Sequence, residues 1–182
     1  MNAITPIEPL DAMEKKLKIS LVSLMRSDMF ALWAPVLMVG TTAVVDDIPT
    51  AATNGRDKWF GRKLLAVLDE KMVNFVVLHE ASHVMLRHLS TWAPLYKKNP
   101  RLANMACDYV INIWLVDTDP TERYLKMPMI EGRQVGLLDP RFRGMSTLQV
   151  FRILEQEDEE REKRRGRGEG GGDEPGEPGD GG

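Results

Sequence analysis

Phe75-Val76-Val77-Leu78-His79-Glu80-Ala81-Ser82-His83-Val84-Met85-Leu86 is the stretch on which the rest of the sequence turns. It lies in a run from about Arg62 to His88 that contains no Gly or Pro and whose apolar spacing predicts one long helix. The second half of that run is apolar on nearly every face, so the helix is expected at the centre of the core. Spacing i, i+4 sets the imidazoles of His79 and His83 on one face, one turn apart, within reach of a single cation. Glu80 lies about 100° around the helix and borders the same position without ligating it. Two histidines and a glutamate submerged without partners would be costly, and a bound cation supplies the partner. Catalytic zinc requires this layout: neutral nitrogen ligands, an open position for water, and a carboxylate that takes the water's proton. The residues therefore point to Zn²⁺, with His79 and His83 as ligands and Glu80 as general base.

A catalytic zinc normally has three protein ligands. In Leu102-Ala103-Asn104-Met105-Ala106-Cys107-Asp108-Tyr109-Val110-Ile111-Asn112-Ile113-Trp114, a second apolar helix carries Asp108 and Asn112 at i, i+4. A buried, ionised Asp needs a cation or a donor, so a helix packed across the histidine face would bring Asp108 to the metal. Asn112 would then orient a ligand from behind. The competing roles for Asp108 are an ion pair with an arginine or a cap on a neighbouring loop. His88 is the rival third ligand. Five residues of helix carry it about 500° past His83, roughly 140° off the ligand face. It could coordinate only if the helix ended near Leu86 and the chain turned back, and no Gly is present to allow that. A bond to the free carbonyls of the last helical turn is the expected role for His88. Cys107 reads as a small core residue, and Met127, Met129 and Met145 as gap fillers. Tyr109, Tyr124 and Arg123 are candidates to stabilise an oxyanion opposite the metal.

Outside these helices the chain divides by composition. It has 182 residues and a formal charge of −3. Residues 155–182 carry 11 acidic and 5 basic side chains, nine glycines, and no aromatic, Val, Ile or Leu. That segment cannot bury enough apolar surface to order itself and is expected to be a disordered tail, leaving residues 1–154 as the folded domain. The remaining +3 on that domain is too weak a field for a nucleic-acid binder, and Lys97, Lys98 and Arg101 read as a solvated loop. One cysteine excludes an internal disulfide framework and points to a reducing, cytoplasmic setting. Met1–Leu10 shows no secretory pattern. Met29–Val45, the longest uncharged stretch, is too short and too broken by Pro35 and Gly40 to span a membrane. An amphipathic helix is expected from Pro9 to about Met25, and one or two strands over Phe30–Val45. A hairpin or edge strand is expected around Asn54-Gly55, and a last helix from Ser146-Thr147-Leu148-Gln149.

The order of these parts resembles a known family. Thr50-Ala51-Ala52-Thr53-Asn54-Gly55-Arg56 precedes the His79–His88 segment, and Ala106-Cys107-Asp108-Tyr109-Val110-Ile111-Asn112 follows it. This is similar to the bacterial and phage metallopeptidase domains in which an H-E-x-x-H helix precedes a von Willebrand factor A-like domain. The resemblance covers roughly residues 10–155. It implies a helix-rich, zincin-like α+β fold, with a small twisted sheet packed on the active-site helix and a second helix delivering the third ligand. It also implies a von Willebrand-like partner domain that this sequence does not include, whereas the expectation of a peptide or protein substrate comes from the zinc-peptidase reading of the residues. An extended peptide is expected to add to a strand near Met38–Val45 or Thr50–Arg56. The alternative is a zinc-binding structural or regulatory module, phage-related, that cleaves nothing.

Overall fold

Asp11 opens the part of the chain that the computed structural model describes, residues 11–168, and it caps the first helix. Its carboxylate accepts from the backbone N–H groups of Met13 and Glu14 while Glu14 reaches back, a capping box that starts α1 (Ala12–Met25). The expected start at Pro9 lies outside the described residues. The strand expected from Phe30 is a correction: the chain makes a 3-10 turn at Asp28–Phe30 and a short helix, α2 (Ala34–Leu37), before any strand. Phe30, Trp33 and Leu37 are all buried, and their spacing of three and four overrides the β-propensity of the individual residues. Pro35 falls in the first turn of α2, where its missing N–H costs nothing.

Three short strands follow: β1 (Thr42–Val45), β2 (Ala51–Thr53) and β3 (Lys58–Gly61). Their order is β1-β3-β2, with β1 parallel and β2 antiparallel to β3. The β2–β3 turn is the expected hairpin at Asn54-Gly55. Gly55 takes φ 89°, and the Asn54 side chain accepts from the backbone N–H groups of Arg56 and Asp57. This order leaves β2 at an edge of the sheet. Gly61 is required for a different reason, because a Cβ there would lie 2.4 Å from the Ile48 carbonyl oxygen.

The single helix expected over Arg62–His88 is three pieces: α3 (Arg62–Val67), α4 (Glu70–Met85) and α5 (His88–Thr91). Leu68 is extended, the Asp69 carboxylate caps the Met72 N–H, and the Lys16 ammonium closes the end of α3 on the Leu65 and Leu68 carbonyls. A run free of Gly and Pro hid a break made by side-chain caps. The second break is backbone: Arg87 adopts the left-handed conformation at φ 51° and reverses the chain without a glycine. The expectation of a central helix holds for α4, whose Val73, Phe75, Val77, Leu78 and Ala81 are buried in the main core. Trp33 pins it from the N-terminal side by donating to the Ser82 hydroxyl at 2.8 Å.

α6 (Ala93–Lys98) leads into α7 (Pro100–Thr118), which packs against α4 and, through a second core, against the last helix. Between them the chain forms a loop wall with a two-stranded hairpin, β4 (Met129–Ile130) and β5 (Arg133–Gln134). Asp119 anchors this wall, accepting from the backbone N–H groups of Arg123, Tyr124 and Leu125 at 3.1, 2.6 and 2.8 Å. Burial favours its neutral form, but these donors outweigh that and hold the carboxyl below its ordinary value. Asp119→Asn should therefore cost about 2–3 kcal/mol in urea melts at neutral pH. A folded-state pKa below the unfolded one contributes stability only above the unfolded value. The gap between wild type and variant should thus close as pH falls below about 4, and a pH-independent gap would contradict this account.

α8 (Thr147–Gly168) corrects the expected boundary at residue 154, because residues 155–168 continue the helix. Lys98 pairs with Glu155 at 2.6 Å, Arg101 with Asp158 at 2.7 Å, and Arg141 with Glu157, so cross-element ion pairs hold what apolar burial does not. The segment 169–182 of the expected tail lies outside the described residues. Lys98 and Arg101, read as a solvated basic cluster, are occupied in this contact. The molecule is a helix-rich α+β fold with a small mixed sheet. Among the described residues no helix is long and apolar enough to cross a membrane.

Candidate metal centre

His79 and His83 stand one turn apart on α4, and α7 crosses that face so that Asp108 meets them. The His79 Nε2 to His83 Nε2 separation is 3.2 Å, and Asp108 Oδ1 lies 3.6 and 3.1 Å from these two nitrogens. A tetrahedral zinc with bonds near 2.0–2.1 Å spaces its ligands about 3.3–3.4 Å apart, so the triangle has the size such an ion demands. Among the described residues this is the one trio of His, Cys, Asp and Glu side chains whose donor atoms converge in this way.

Each donor is aimed by a neighbour. Asn112, one turn beyond Asp108, donates through Nδ2 to the Leu137 carbonyl at 2.8 Å, which turns its Oδ1 toward His79 Nδ1 at 2.7 Å. A neutral His79 that donates from Nδ1 to this oxygen has its Nε2 lone pair available to a cation. Asp108 is held through Oδ2 by the Asn104 amide at 2.9 Å, leaving Oδ1 free to face the histidines. The structure thus places Asn112, expected as an orienting group, between the Leu137 carbonyl and His79. Asn104, four residues before Asp108, was not singled out, although the same i, i+4 rule that pairs Asp108 with Asn112 would have found it.

The electrostatics follow the geometry. Burial favours the neutral acid at Asp108, but the hydrogen bonds from His79 and His83 win and hold it down at about 2. Burial resists a charge on His79, yet Asp108, Glu80 and Asn112 outweigh it and keep that imidazole above its ordinary value. Glu80 is 7% exposed, and burial pushes its carboxyl up against the opposing pull of His79 and His83. It borders the trio without belonging to it.

His88 departs from expectation. The left-handed Arg87 swings it back under α4, where it is buried with its Nδ1 3.2 Å from His83 Nδ1. It bonds His83 rather than the terminal carbonyls and is not part of the converging trio. Burial, with His83 beside it, pushes its pKa down to about 4, so it is neutral at ordinary pH.

The trio lines a cleft of about 450 Å³. Thr50–Thr53, which includes edge strand β2, forms one side, and Met127, Pro128 and Val135–Leu137 form the other. Leu64, Phe75 and Val76 supply apolar wall between them. None of the three oxyanion candidates lines it. Tyr109 packs edge-on to Phe142 at 4.8 Å, while Tyr124 packs on Phe30 with the Arg123 guanidinium over its ring. Tyr96 does reach the cleft, with its hydroxyl 4.0 Å from the Cys107 sulfur. The sequence hid it because Pro94 suggested a loop there, whereas α6 folds back beside α7. Cys107 is buried, its thiol pushed up to about 12, as a core residue should be.

Comparison with known proteins adds one finding. A family model described as "Putative metallopeptidase domain" matches residues 16–180, nearly the whole chain. Neither a curated protein nor a solved structure matches it.

Proposed function

Because the chain belongs to this metallopeptidase-domain family, we propose that it is a zinc-dependent peptidase acting on extended peptides. The observation that carries the reading is the His79–His83–Asp108 triangle, sized for a tetrahedral ion and bordered by a carboxylate that is not part of it. Zinc held there would supply Lewis acidity, bringing the pKa of a water near 7 and polarising the scissile carbonyl.

Every other task falls to the chain. Asn112 and Asn104 fix the ligand atoms that face the ion. Glu80 takes the attacking water's proton on a carboxylate oxygen and delivers it to the leaving amide nitrogen. The outer edge of β2 offers Ala51–Thr53 as a template for a peptide laid antiparallel to it, which would present one peptide bond to the triangle. Among the described residues no Lys or Arg lines the cleft, so a substrate's C-terminal carboxylate finds no counter-charge there, which speaks against trimming from that end. A purely structural zinc site is closed by four protein ligands, whereas three converge here among the described residues.

The test is metal content together with digestion of an unfolded protein substrate, read by mass spectrometry. One zinc per chain is expected, with cleavage lost on chelation and regained on adding zinc. Reconstituted protein holding far less than one zinc per chain, or cleavage indifferent to the chelator, overturns the proposal.

A further inference from the structure

We infer that His88 is the positioning residue for His83, an acceptor that fixes which nitrogen of His83 faces the metal. The inference rests on the zinc reading above and concerns a residue that the triangle itself does not include. Two imidazole nitrogens stand 3.2 Å apart, His83 Nδ1 and His88 Nδ1. Two lone pairs or two protons cannot face each other at that distance, so one proton lies between them. A neutral imidazole carries a single N–H. If His83 Nε2 gives its lone pair to a cation shared with His79 and Asp108, the proton of His83 resides on Nδ1 and His88 Nδ1 accepts it.

The backbone is shaped to this end. Continuous helix would carry position 88 about 140° away from the ligand face. Arg87 instead occupies the left-handed region at φ 51° and ψ 41°, a conformation that side chains other than glycine, asparagine and aspartate seldom adopt. The result is a histidine only 2% exposed, edge-on to His83 with ring centres 5.0 Å apart.

A carboxylate often fills such an orienting position. Here Asp108 and Glu80 would already bring two carboxylates to a divalent ion held by the trio. A third carboxylate would leave the cluster net negative and weaken the ion's pull on water and carbonyl. An imidazole orients the ligand without adding charge. Asn112 does the same for His79 with a neutral amide, so the two histidine ligands have matched, uncharged supports.

The experiment compares the full chain with His88→Leu and His88→Asn, measuring zinc affinity by competition with a chromophoric chelator and checking the fold by circular dichroism. The Asn oxygen falls near the place of Nδ1 and can accept the same proton. His88→Leu should weaken zinc binding about 10–100-fold, and His88→Asn should bind close to the wild-type level. Nitrogen-correlated NMR of the zinc-loaded protein should show a slowly exchanging His83 Nδ1–H that Asn keeps and Leu loses. Wild-type affinity in His88→Leu overturns the inference, and so does equal loss in both variants, which would mark a packing role. In either case the zinc reading stands, whereas a wild type that binds no zinc removes both.

Discussion

Glu80→Gln should abolish most hydrolysis and leave the metal in place. The amide has nearly the shape of the acid, and Glu80 is not one of the three converging donors, so zinc content should stay near one per chain. What the variant cannot do is accept a proton. General-base assistance is worth about 10²–10⁴-fold, and a fall in kcat of that size with little change in KM is expected. The cause of the loss is legible in stability as well. Glu80 is buried at 7% exposure, and burial pushes its carboxyl up, which marks an ionised form held at a cost. Glutamine carries no charge to desolvate, so Glu80→Gln should unfold at the same urea concentration as wild type or a higher one. An inactive variant that is at least as stable separates chemistry from structure. A variant that keeps more than about a tenth of wild-type kcat would remove Glu80 from the base's role.

The parts of this arrangement visible in the sequence are those fixed by local periodicity. The i, i+4 rule put His79 beside His83 and Asp108 beside Asn112, and the apolar run around Val77 and Leu78 put that helix in the core. Pairing the two helices needed one further argument, that a buried aspartate requires a partner, and the structure brings Asp108 within 3.6 Å of both imidazoles. Local rules failed where capping and tertiary contacts decide. Asp69 ended a helix that had no breaker residue, because its carboxylate offered the Met72 N–H a better partner than helix continuation would. Arg87 made a reversal that composition assigns to glycine, and the burial of His88 against His83 compensates the strain. Phe30 and Trp33 have strand-forming side chains but share a helical spacing with Leu37, and the spacing won. The charged segment from Glu155 reads as unable to fold by its apolar content, yet three ion pairs to Lys98, Arg101 and Arg141 keep α8 going. Only the α8 ion pairs needed partners far along the chain; the other departures were local, a cap three residues away, a left-handed residue and a helical spacing among strand-forming side chains.

Asp108→Ala should destabilise the metal-free protein and cost the metal-loaded protein more. Without metal, Asp108 accepts from the Asn104 amide and faces both imidazoles, and these contacts outweigh burial and hold its carboxyl down at about 2. A folded-state pKa below the unfolded one contributes stability at every pH above the unfolded value, and truncation gives that up. Urea midpoints of the metal-free variant should fall below wild type near pH 8. With metal the loss grows. An ion held by His79, His83 and Asp108 ties α4 to α7 and binds only the folded chain, so it adds about 4.1 kcal/mol at a free concentration a thousand times its Kd. Losing one of three ligands removes most of that gain, and zinc should raise the wild-type midpoint while barely moving that of Asp108→Ala. Asp108→Asn should behave like Ala toward metal, because the amide supplies no anionic oxygen. Two other outcomes would contradict the account. Equal zinc stabilisation in wild type and Asp108→Ala would show that the third ligand lies elsewhere. A metal-free Ala variant as stable as wild type would show that the contacts of Asp108 do not offset the burial of its charge.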